Sequence, residues 1–213
     1  MSERTQAVAM HQAVAPEDQV RANFYALLSR LYADAPDAAL LRGIAGAGEL
    51  PGESEAAREL ASTWSTLGKA SAAMDPEAAA DEYQALFIGV GKSEVSLYAS
   101  SYLPSGGTSV RGQVRATLGR LGLERKPEVN VYEDHLAAIC ETMRALIVGT
   151  GGTEGPEGHA VGEQREFFEM HVAPWVSACC SAICACPIAN YYRPVAKFTQ
   201  AFMAIERDSF AID

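Results

Sequence analysis

Basic residues are in short supply: the 213-residue chain has 17 Lys and Arg against 27 Asp and Glu, a formal net charge of −10. Phosphate contacts need clustered Lys and Arg, so nucleic acid is excluded as a partner. Cysteine is rare as well. Cys140, Cys179, Cys180, Cys184 and Cys186 are too few and too crowded for a disulfide framework in a chain of this length. The first fifteen residues lack the continuous apolar core of a secretory signal, so the expected compartment is the cytoplasm. Residues 172–192 carry no charge, but Pro174, Pro187, Asn190 and two serines make them a buried helix pair rather than a stable membrane span.

Catalytic and cofactor signatures are missing too. There is no Glu-x-x-His pair for a di-iron bundle, no His-Glu-x-x-His and no Cys-x-x-Cys. A two-thiolate site with His171 is the nearest approach to a metal centre, and small core filler is the plainer account of those cysteines. The run from Gly149 does not end in the Gly-Lys-Ser/Thr of a phosphate cradle, and Gly89-Val-Gly91 is too short for a dinucleotide fingerprint, so no cofactor is expected. No Gly-x-Ser-x-Gly elbow supplies a nucleophile.

What the chain does have is helix. Alanine occurs 37 times, and apolar residues recur at helical spacing almost throughout. Pro16-Glu17-Asp18 opens a first helix with the stripe Val20, Phe24, Leu27, Leu28 and Leu31. Asp75-Pro76-Glu77 opens another that runs through Tyr83, Leu86 and Phe87 to a cap at Gly89. Residues 88–107 read as an ordered loop. A capping box at Asn130-Val-Tyr-Glu133 predicts a helix start there, with Asp134 and His135 in its first turns. The prediction is an all-α fold: a single helical-bundle-like domain at 16–213 behind a disordered tail at 1–15. Within it, subdomains of about 16–148 and 159–213 would meet at a glycine-rich hinge around 149–158.

Two segments together resemble one known family. Glu82-Tyr83-Gln-Ala-Leu86-Phe87-Ile-Gly89-Val-Gly91, with Leu97-Tyr98-Ala-Ser100-Ser-Tyr102 after it, is similar to an E-Y-x-x-L-F-x-G-P-G segment and its serine/aromatic loop. Tyr132-Glu133-Asp134-His135 with the following Glu141 is similar to a P-x-D-H helix. The order and spacing resemble the TorD/DmsD family of cytoplasmic chaperones for molybdenum oxidoreductases. Val90 and Tyr132 stand where that family has proline.

The resemblance implies a non-catalytic protein that binds the twin-arginine signal peptide and the apo form of a molybdopterin-dependent oxidoreductase, of formate dehydrogenase or sulfoxide/amine-oxide reductase type. It implies a monomer or a domain-swapped dimer. The implied client-binding residues are Tyr83, Leu86, Phe87, Gly89, Gly91, Tyr98, Ser100, Tyr102, Glu133, Asp134, His135 and Glu141. Glu133, Asp134 and Glu141 would meet the arginines, and Leu86, Phe87, Tyr98 and Tyr102 would line a groove for the apolar part. Two alternatives stay open: a helical adaptor without a groove, and a hydrolase using Asp134-His135 and Glu141. The charge is uneven in a way that bears on the first reading. Residues 103–126 have a local net of +4, which leaves the rest of the chain at −14.

Overall fold

The computed structural model describes residues 15–89, 92–104, 109–125, 130–149 and 159–211. Gly91, nearly all of the expected tail and all of the expected hinge except Gly149 lie outside these residues. The described residues form nine α-helices: α1 (Pro16–Ala33), α2 (Ala38–Ala45), α3 (Glu55–Ala73), α4 (Pro76–Tyr83), α5 (Val110–Arg120), α6 (Leu136–Val148), α7 (Val161–His171), α8 (Val176–Ala185) and α9 (Tyr192–Phe210). The only β-type pairing among them is an isolated antiparallel bridge between Tyr98 and His135. The fold is all-α. None of these helices is long and apolar enough by itself to cross a membrane, and α7 and α8 meet at a 49° bend.

Local chemistry places most of the boundaries. Pro16 and Pro76 sit in first turns, where a missing N–H costs nothing, and Asp75 accepts hydrogen bonds from the amides of Glu77 and Ala78. Asp37 and Ser54 cap α2 and α3 in the same way. Helix α4 widens into one π-turn at Gln84–Ile88, closed by the Gly89 amide donating to Gln84 O at 2.8 Å. Gly89 has φ 63°, and a Cβ there would collide with the Lys92 carbonyl.

The expected stripe on α1 needs correction. Val20 is 49% exposed, whereas Ala22, Tyr25, Leu28, Leu31 and Tyr32 are buried. The tyrosines take inward positions because their hydroxyls find partners there. Tyr25 Oη donates to Glu206 at 2.9 Å, and Tyr32 Oη lies 3.0 Å from Thr199 Oγ1. Glu206, 1% exposed on α9, also takes a two-pronged contact from Arg21 at 2.7 and 3.0 Å. A buried carboxylate is costly unless paired and hydrogen-bonded, and this one is both.

Helix α1 packs along α6, and α9 packs on α3 and α8, so that residues from both halves of the chain share one hydrophobic core. Two tyrosines close the C-terminal end of α1. Tyr83 Oη donates to Tyr32 O at 3.2 Å, and Tyr192 Oη to Leu31 O at 3.0 Å. The N-terminal end of α9 is held from further away in sequence. The Glu82 carboxylate accepts from the amides of Asn190, Tyr191 and Tyr192, each at 2.9 Å. A carboxylate at that end satisfies three donors and complements the helix dipole.

Two outcomes follow from this framework. Glu82→Ala should cost about 2–4 kcal/mol in urea unfolding, because three amides lose a charged acceptor. Gly89→Ala should cost at least about 1–3 kcal/mol by the same measurement, from a left-handed backbone and a backbone collision together.

Candidate functional site

Two stretches far apart in sequence lie side by side at the N-terminal end of α6. Leu136 N donates to Leu97 O at 2.8 Å, and Ala99 N donates to Asp134 O at 2.9 Å. This pairing, an isolated bridge between Tyr98 and His135, holds His135 extended, which corrects the helix start predicted at Asn130. The helix begins at Leu136, and His135 is its N-cap, with φ −77° and ψ 141°. The capping box does not form either: Glu133 turns away to Arg115.

Each predicted acidic or basic group has a separate partner. Asp134 is 2% exposed, and its Oδ2 accepts from the Ser100 amide at 3.3 Å. His135 Nδ1 accepts from Ala137 N at 3.2 Å, which requires an unprotonated nitrogen there. Tyr98 packs edge-on to that imidazole at 4.8 Å. Burial pulls the pKa of His135 down to about 4, against a smaller opposing pull from Asp134. Glu141 is half exposed and forks with Arg144 one turn on, at 2.6 to 3.0 Å. Asp134, His135 and Glu141 therefore do not converge on a common point, as a hydrolytic site would need.

Glu133 is only 6% exposed, yet it faces two arginines. Arg115 places Nη2 at 2.9 Å and Nε at 3.0 Å from Oε1, and Arg125 Nε lies 3.8 Å from the same oxygen. Burial pushes the carboxyl pKa up, but its own backbone amide and the two guanidiniums outweigh that and hold it below the ordinary value. Oε2 is buried with no hydrogen-bond partner. One turn before Arg115, Arg111 lies 4.1 Å above the ring of Tyr132, which is 52% exposed and 6.4 Å from Tyr98. The result is an acidic and aromatic edge, screened by arginines from α5.

The apolar half of the predicted site is elsewhere. Tyr83, Leu86 and Phe87 are 7%, 0% and 8% exposed, so they do not line an open groove. The π-turn aims them inward, where Phe87 packs on Tyr192 at 4.8 Å and on Tyr83 at 5.3 Å. Leu86 joins the two halves through its carbonyl, which accepts from Val95 N at 3.0 Å. Tyr102 stacks on Trp175 at 5.7 Å and donates to Ser96 O at 2.8 Å, anchoring the loop. Ser100 is exposed beside Asp134. A cleft of about 380 Å³ between α2 and α3, walled by Ile44, Leu50 and Trp64, takes in none of the predicted residues. Of the cysteines, Cys140, Cys179 and Cys180 are buried, and burial pushes the Cys179 thiol up to about 12.

The family model described as nitrate reductase delta subunit matches residues 52–181, from just before α3 into α8. The chain belongs to this family. It is a family of maturation chaperones for molybdoenzymes, built around a non-catalytic subunit. No curated protein matches the chain. The matched span contains Glu82, the loop at 97–102 and the acidic edge, but neither α1 nor α9.

Sequence reasoning missed Arg115 and Arg125 as partners of Glu133. The signal was available: Arg111 and Arg115 are four apart on one helical face of the locally basic segment. Nothing in the spacing around Glu82 signals that its carboxylate caps a helix starting near residue 190.

The buried neutral imidazole sets a pH dependence. The folded pKa of His135 lies below the ordinary value near 6.5, so its contribution is complete above that pH and is lost as pH falls toward 4. Urea unfolding at pH 7 and pH 4.5 should show a loss of up to about 3 kcal/mol. His135→Asn, which keeps a capping oxygen but cannot titrate, should remove that part of the difference.

Proposed function

We propose that the protein is a TorD/DmsD-type, system-specific chaperone acting in the cytoplasm. It binds the twin-arginine signal peptide and the apo form of a molybdopterin-dependent oxidoreductase while the cofactor is inserted, before export or assembly. The observation that carries this reading is the Glu133 carboxylate, set beside Asp134, the half-buried ring of Tyr98 and the exposed ring of Tyr132, and engaged by guanidinium groups. An acid that holds two arginines of its own chain has the chemistry to hold those of another. The exposed face of Tyr132 and the accessible part of Tyr98 beside it suit the apolar residues that follow an arginine pair in such a peptide.

The charge distribution supports the same reading. The chain outside residues 103–126 carries −14, a field that would speed encounter with a cationic peptide and weaken with salt. The family's description adds nitrate reductases to the formate dehydrogenase and sulfoxide or amine-oxide reductase types as clients. A second reading, a helical adaptor without a peptide groove, draws on the burial of Leu86, Phe87 and Asp134.

The two readings separate in one titration. A synthetic peptide bearing Arg-Arg ahead of an apolar helical stretch should bind at low salt, and its Lys-Lys counterpart should bind at least about tenfold more weakly, because lysine cannot fork onto a carboxylate. Equal binding of the two peptides, or no binding of either, would sink arginine recognition and leave the adaptor.

A further inference from the structure

The contact between Arg115 and Glu133 is lopsided. Nε and Nη2 of Arg115 both converge on Oε1, and Arg125 approaches that oxygen too, while Oε2 is buried without a hydrogen-bond partner. A carboxylate normally takes a guanidinium with one N–H on each oxygen. Leaving a buried acceptor unmade has a real cost, so this arrangement is poorer than the one the same two groups could form. The two partners also differ in exposure. The Glu133 side chain is 6% exposed and the Arg115 side chain 65%. Withdrawing Arg115 therefore moves an already hydrated group into water, whereas the acid stays where it is.

We propose that Arg115, with Arg125 behind it, is a resident stand-in for a client arginine, and that the client binds by exchanging its guanidinium for that of Arg115 on Glu133. This rests on the arginine-recognition reading above. The exchange conserves charge at the buried acid, with one guanidinium leaving and one arriving, so Glu133 is never left as an unpaired buried carboxylate. An incoming side chain that is not tethered to α5 is free to fork, with one N–H on Oε1 and one on Oε2. That satisfies the oxygen Arg115 leaves bare, and it gives the client its advantage over the resident. In the absence of client, the resident pair also keeps weaker cations off the acid, since a lone ammonium would have to displace two guanidiniums to reach it.

The test uses the full chain and the same synthetic Arg-Arg peptide, titrated into the parent protein, Arg115→Gln and Glu133→Gln. Arg115 is mostly exposed, so Arg115→Gln should fold, and a thermal melt checks both variants. Exchange predicts that Arg115→Gln binds the peptide about tenfold tighter, the resident competitor being gone. It also predicts that Glu133→Gln loses at least as much affinity, and that Arg115→Lys falls between Arg115→Gln and the parent. If the parent binds and Arg115→Gln binds equally or more weakly, the exchange is overturned while arginine recognition stands. If neither binds, both fall. Binding by Arg115→Gln but not by the parent would overturn the exchange too, because the client would then be unable to displace the resident guanidinium.

Discussion

Three backbone amides at the start of α9 depend on one side chain from the opposite half of the chain. The Glu82 carboxylate receives the N–H groups of Asn190, Tyr191 and Tyr192. Without it, the N-terminus of a 19-residue helix would meet the end of α4 with unpaired donors and the positive end of its dipole. With it, Tyr192 is placed to pack on Phe87 and to donate to the last turn of α1. The next residue, Tyr83, reaches the same turn of α1. One glutamate and two tyrosines thus tie α1, α4 and α9 into a single corner. The inward aim of Leu86 and Phe87 follows from it, because the π-turn after α4 starts from a fixed end.

The acidic edge depends on that corner indirectly. Leu86 O holds Val95 N, and the loop from Val95 then runs alongside residues 134–136. The pairing keeps Asp134 out of the helix and leaves His135 as the cap, with Leu136 the first helical residue. Glu133 is left one residue outside that pairing, within reach of α5. The site is therefore an outcome of where the loop is pinned. Its electrostatics are set by a neighbouring helix of opposite sign rather than by the acids alone.

Much of this was legible in the residues. Helical spacing, prolines at first turns and Asp caps mark α1 and α4, because such signals act within a turn or two of where they sit. Within the expected loop, the described residues 92–104 carry no α-helix, which was legible for the same reason. The start of α6 was not. Asn130 and Glu133 have the spacing of a capping box, but their local preference lost to a backbone pairing with residues nearly forty positions earlier. The stripe on α1 was right at Phe24, Leu27, Leu28 and Leu31, wrong at Val20, and lacked Tyr25 and Tyr32, because tyrosines count as half polar until their hydroxyl partners are known. The predicted site residues separated on burial: Tyr98, Ser100 and Glu141 keep solvent exposure, while Tyr83, Leu86 and Phe87 went to the core.

By itself the sequence determined an all-α chain, the order of most of its helices and its acidity. Each of these is a property of composition or of spacing along one helix. Only the tertiary structure decided what the acids do. Glu82 caps a helix 108 residues away, Glu133 holds Arg115 18 residues back, and Glu206 holds Arg21 across nearly the whole chain. A carboxylate's partner is whichever donor the packing brings within about 3 Å, and no periodicity along the chain encodes that distance.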